Sequence, residues 1–153
     1  ILTELFNHCG CSNGLDWTVD GTQMYYCDTV KRKIEVFDFD VEHSAISNRR
    51  TFIDIPEGMG NPDGFCMDEN NDIWLALWDG SSVCQIESKT GTVVSKIDVP
   101  AAKTSCTCFA GEDLRDLIIT TASLRDEERY PLSGHCFKTR VGVKGKKSYR
   151  YRY

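Results

Sequence analysis

The sequence has no apolar run approaching the ~20 residues that a membrane-spanning helix needs, so no membrane partner is expected. It has no Asn-x-Ser/Thr glycosylation acceptor, which favours the cytoplasm over secretion. No window sustains a helical stripe of apolar residues, so the chain reads as almost entirely β. Nor is there an initiator methionine. The chain starts at Ile1, and Ile1 to Phe6 is too short and too acidic for a signal peptide.

What is present is acidic. The net charge is −5, yet the ten residues from Lys144 to Tyr153 hold five cations (Lys144, Lys146, Lys147, Arg150, Arg152) and no acid. The body therefore carries −10, the chain's −5 less the tail's +5, which suits a cation site and argues against nucleic acid as a partner. Residues 146–153 read as a basic, tyrosine-rich tail in which Tyr149, Tyr151 and Tyr153 alternate with arginine, the composition of a solvated terminus. The run Arg125 to Arg129 reads as a loop long enough to contribute to a lid.

There are eight cysteines. Cys27, Cys66, Cys84, Cys108 and Cys136 fall inside strand patterns where valine or isoleucine would serve, so reduced thiols packed as small hydrophobes are expected. His8-Cys9-Gly10-Cys11 and Cys106-Thr107-Cys108 place one residue between cysteines, where structural zinc sites have two or more. On a strand such pairs face one side, and the core is their simpler destination.

The organising feature is a repeat. Asn13-Gly14-Leu15-Asp16-Trp17 and Asp63-Gly64-Phe65-Cys66-Met67 each set a short oxygen-bearing side chain and a glycine before an apolar run, a polar turn and a second apolar run. A third copy opens at Thr104-Ser105-Cys106 and returns through Leu117 to Thr120. From the opening polar residue to the second run is 11 residues (Asn13 to Met24), 10 (Asp63 to Ile73) and 12 (Ser105 to Leu117).

Further strand-like pairs follow, Lys33 to Phe39 with Thr51 to Ile55 and Ser82 to Ile86 with Val93 to Val99, then Gly134 to Thr139. Four short strands per unit of about 40 to 50 residues is the pattern of a propeller blade, preferred here over a sandwich because the opening polar residue recurs. At most three blades are expected, the first entered partway, while a closed ring needs about four to eight. The expectation is half of a longer protein, with open sheet edges.

In a propeller, equivalent positions at the start of each innermost strand converge on the axis, where Asn13 and Asp63 could share a hard divalent cation. Alternatively each caps its own turn, since Asn-Gly and Asp-Gly are strong turn dipeptides. Spacing leaves both readings open. The acidic stretch Asp68 to Asp72 lacks the glycine and glutamate of an EF-hand, having Ile73 and Asp79 at those places, and reads as a turn of Asx residues.

At these residues the chain resembles the regucalcin, gluconolactonase and luciferin-regenerating enzyme family. The resemblance rests on Ser12 to Trp17, Met24 to Asp28, Phe37 to Asp40, Ile46 to Arg50, Pro62 to Asp68, Ile73 to Ala76, Thr104 to Cys106 and Gly142 to Gly145. It assigns residues 1–145 to the C-terminal half of a six-bladed β-propeller with one divalent metal on its axis. The ligands it implies are Asn13, Asp63 and a glutamate outside this chain, with calcium, zinc, manganese or magnesium as the metal. It further implies hydrolysis of a small-molecule lactone, with Asp63 also the catalytic base. The chain alone is expected to be inactive, because the remaining ligand and the substrate-holding residues fall in the other half. A non-catalytic calcium-binding regulator, as regucalcin's name suggests, is the alternative. The family's finishing strand is replaced here by Lys146 to Tyr153, which puts closure of the ring by the terminal segments in question.

Overall fold

The computed structural model describes residues 2–124 and 127–148 and contains strands, turns and no helix among them. Strands β1 (Ser12–Trp17), β2 (Gln23–Asp28), β3 (Lys33–Asp40) and β4 (Ala45–Asp54) pair in sequence order into one antiparallel sheet. Strands β5 (Asn61–Met67), β6 (Ile73–Trp78), β7 (Ser82–Ile86) and β8 (Val93–Asp98) repeat the arrangement. Strands β9 (Lys103–Ala110), β10 (Asp116–Ala122) and β11 (Phe137–Arg140) make a third sheet, its ladder joined to the second's by a single bridge from Trp78 to Lys103. These are three blades of a propeller. The first blade has all four strands rather than being entered partway; it is the third that has three among the described residues.

The sheets are held face to face by strands buried on both sides, which explains their unbroken apolar runs. Along β2, Tyr25 and Cys27 enter a core shared with the second blade's Phe65, Met67, Ile73, Leu75 and Leu77. Met24 and Tyr26 alternate onto the opposite face with Phe37 and Phe6. Likewise Ile73, Leu75 and Leu77 of β6 face the first blade, while Trp74 faces Leu117 and Ile119 of the third. Each such side chain, fully buried, contributes roughly 1.5–3 kcal/mol, so the interblade seams are a principal source of stability.

Two expectations need correction. Cys27 and Cys84 are buried, but Cys108 and Cys136 are exposed, and the Cys106/Cys108 pair faces outward rather than into a core. On β9 the buried neighbour is Thr107, because the third sheet has a partner on only one face in this chain.

The turn from Asp68 to Asp72 is an Asx turn: Asp68 Oδ1 accepts the Asn70 and Asp72 amides at 2.8 and 3.0 Å. Of the loop expected to form a lid, Arg125 and Asp126 lie outside the described residues, as do Tyr149 to Tyr153 of the tail. No helix among the described residues is long and apolar enough to cross a membrane.

Candidate functional site

The three innermost strands share a local irregularity that places the repeated polar residue. Between Ser12, opposite Asp28, and Leu15, opposite Tyr26, β1 spends one residue more than β2, so Asn13-Gly14 forms a β-bulge. Between Pro62, opposite Leu77, and Phe65, opposite Leu75, Asp63-Gly64 does the same. In β9 the extra residue is Ser105, between Thr104 and Cys106. A bulge bends its strand and re-aims a side chain, here at one position in each of three blades. Asn13 and Asp63 therefore lie within strands and not in hairpin turns, and neither Gly14 nor Gly64 has a positive φ.

The glycines serve a different purpose. A Cβ on Gly14 would stand 2.8 Å from the Asp63 carbonyl oxygen, and one on Gly64 would stand 2.8 Å from the Ser105 carbonyl oxygen. Each glycine is the place where the next blade's inner strand comes to rest. Close approach of the strands is what brings the polar side chains together.

Asn13 is exposed and Asp63 half-buried, and the Asn13 side-chain amide lies near enough to favour the charged Asp63 carboxylate. Burial pushes the Asp63 carboxyl above its ordinary value; the Asn13 and Gly64 hydrogen bonds offset this only in part, and no basic side chain contributes. Asn13 Nδ2 also donates to Thr29 Oγ1 at 3.1 Å. The Cys27 thiol borders the pair. Burial first, and the Asp63 carboxylate second, push the Cys27 thiol up to about 12, so it is a protonated neighbour and no nucleophile. At the third position Ser105 Oγ is 2.8 Å from Thr120 Oγ1, so the third blade offers a neutral hydroxyl.

Amide and carboxylate oxygens are hard donors suited to calcium, magnesium or manganese. A half-buried carboxylate with no basic partner is the kind of charge that a cation would neutralise. The number is short: calcium takes about six to eight oxygens, and no group of three His, Cys, Asp or Glu converges among the described residues. The donor chemistry thus fits a divalent cation, and this chain supplies part of the shell. A hollow of about 440 Å³ between the second and third blades, lined by Trp74, Ile97, Arg140 and Val143, includes neither residue. It is a fissure where two sheets diverge, and its one charge, Arg140, is paired with Asp113 and Asp116.

Sequence reasoning found Asn13, Asp63 and Ser105 through periodicity. It missed Thr29, whose Asp-Thr setting after β2 carries no motif, and the packing role of Gly14 and Gly64.

Blades of antiparallel strands whose bulged inner strands converge define a β-propeller, and the comparisons place it further. The sequence matches the SMP-30/Gluconolactonase/LRE-like region over residues 1–123, and the chain belongs to that family. It is 38% identical to regucalcin of Danio rerio, over 95% of this chain and 51% of that protein. The calcium-binding protein regucalcin of Agrobacterium tumefaciens superposes with a TM-score of 0.92 at 27% identity, over 99% of this chain and 52% of the other. A gluconolactonase of Xanthomonas campestris superposes with a TM-score of 0.63 at 27% identity, over 83% of this chain and 36% of the other. The chain spans about half the length of the curated relatives it matches.

Proposed function

We propose that Asn13 and Asp63 are two ligands of a divalent cation in a lactone hydrolase of which this chain forms three blades. The observation that carries the reading is the pair itself. A half-buried carboxylate, raised by burial and without a basic partner, is held against an amide from the neighbouring blade at equivalent bulges. Membership of a family named for gluconolactonase supports a sugar lactone as the substrate class.

A bound divalent cation would supply Lewis-acid polarisation of a carbonyl. The chain's own part is distinct. Asp63, its carboxyl raised by burial, accepts a proton from water, and a base of higher pKa accepts it more readily. Asn13 offers its side-chain oxygen as the second donor, from the neighbouring blade. The metal is calcium, magnesium, manganese or zinc. The setting is cytoplasmic, where thiols such as Cys27 and Cys84 stay reduced.

With two protein donors, the 153 residues alone should turn over little or no lactone. The test joins this chain to the N-terminal half of the Danio rerio relative and follows gluconolactone hydrolysis with and without chelator. Chelator-sensitive turnover in the chimera, lost on Asp63→Ala and absent from the isolated chain, is the expected result. Turnover that survives Asp63→Ala would refute it. A second reading, a non-catalytic calcium-binding regulator, is favoured by the likeness to a calcium-binding regucalcin. It predicts calcium binding without turnover in the same chimera.

A further inference from the structure

We infer that Thr29 is a positioning residue that fixes the side-chain amide of Asn13 so that its Oδ1 is the atom free to meet a cation. The inference rests on the reading of Asn13 as a ligand and adds the residue that makes it one.

Thr29 follows β2 and is itself firmly placed. Its amide donates to the Cys11 carbonyl at 3.1 Å. The adjoining Asp28 carboxylate is fully buried and accepts the amides of Gly10, Cys11 and Lys31 at 2.8, 3.1 and 3.1 Å. From this anchored backbone, Thr29 Oγ1 donates to the Pro62 carbonyl at 2.8 Å, across the seam between the first two blades.

A hydroxyl has one hydrogen, and this one is spent on Pro62. Toward Asn13, Thr29 Oγ1 can therefore only accept, and it does so from Nδ2 at 3.1 Å. The Asp63 carboxylate, also an acceptor, lies near the same amide and is favoured in its charged form by it. Both neighbours demand the nitrogen, and no donor among the described residues claims Oδ1. A cation shared by Asn13 Oδ1 and Asp63 would leave the Thr29 bond intact. Asn13 is exposed, so packing does not hold its amide, and the hydroxyl is what selects the orientation. Because Pro62 directly precedes Asp63, the same hydroxyl also ties together the backbone positions of the two candidate ligands.

The test is nuclear magnetic resonance on the 153-residue chain, comparing wild type with Thr29→Ser, Thr29→Val and Thr29→Ala. Without metal, wild type and Thr29→Ser should show an ordered, slowly exchanging Asn13 side-chain amide with contacts to residue 29. In Thr29→Val and Thr29→Ala that amide should average and exchange faster, in an otherwise unchanged spectrum. In a calcium titration the two variants lacking the hydroxyl should bind about 10- to 100-fold more weakly, the usual cost of losing a group that orients a ligand, with serine restoring affinity. An Asn13 amide indifferent to Thr29→Val or Thr29→Ala overturns the inference. So does calcium affinity that stays constant while the amide loosens. If wild type shows no calcium response at Asn13 or Asp63, the ligand reading fails; the metal-free spectra separately decide whether Thr29 orders the amide.

Discussion

Lys146 Nζ stands 2.5 Å from Asp16 Oδ1, joining the C-terminal segment to the inner strand of the first blade. The other carboxylate oxygen of Asp16 accepts the Met67 amide of the second blade at 2.9 Å. The same segment bonds the third blade through Gly145 N to Leu114 O at 2.7 Å and the second through Glu69 N to Lys144 O at 2.9 Å. It thus crosses the ends of all three innermost hairpins. Asp16 lies toward the end of β1 and Asn13 at its start, so this clasp and the candidate site occupy opposite ends of the inner strands. Lys146, the first residue of the expected tail, is largely buried in the body of the fold.

Lys146→Met removes the cation and leaves a largely buried carboxylate short of a partner. The expected loss is about 1.5–3 kcal/mol, as for a hydrogen bond to a charged group. Urea denaturation of the two chains measures it, and an unchanged midpoint would mean the clasp contributes nothing.

Gly14→Ala and Gly64→Ala each drive a methyl against a neighbouring blade's backbone at 2.8 Å. Overpacking of this kind costs about 1–3 kcal/mol. Gly142→Ala is the control, since a Cβ there meets nothing within 4 Å. The three midpoints should separate accordingly in the same denaturation experiment.

These glycines also show where the sequence was legible. The blades could be read because each strand is local and its apolar residues repeat with a fixed period. Asn13 and Asp63 could be paired because the period carried them to equivalent places. Their backbone setting could not be read: Asn-Gly and Asp-Gly are turn dipeptides by local preference, and only the arrival of a second blade makes them bulges. Thr29, Asp16 and Lys146 act between segments far apart in sequence and belong to no motif. The outward-facing Cys108 was misread because a strand pattern does not say which of its faces is covered.

The pH dependence of stability should carry opposite signatures from two aspartates. Burial raises the Asp28 carboxyl, but the amides of Gly10, Lys31 and Cys11 and the Lys31 ammonium outweigh it and hold the carboxyl below its ordinary 3.8. Asp28 therefore stabilises the fold above the unfolded value of about 3.9, and that stability is lost as pH falls through the lower folded value. Asp63 is raised, so its contribution is favourable below about pH 3.9 and is lost as pH rises through its folded value. Asp63→Asn should consequently be more stable than wild type at pH 7 and lose that advantage near pH 3. Asp28→Asn should be less stable at pH 7. Denaturation from pH 3 to pH 8 measures both, and a destabilised Asp63→Asn at pH 7 would contradict the assignment.

Whether Asn13 and Asp63 bind a cation together is tested directly on this chain by paramagnetic broadening with manganese. Substoichiometric manganese should broaden the resonances of Asn13, Gly14, Asp63 and Gly64 first, and Asp63→Asn or Asn13→Ala should abolish the effect while Ser105→Ala leaves it. Broadening centred elsewhere, or undiminished in Asp63→Asn, would contradict it.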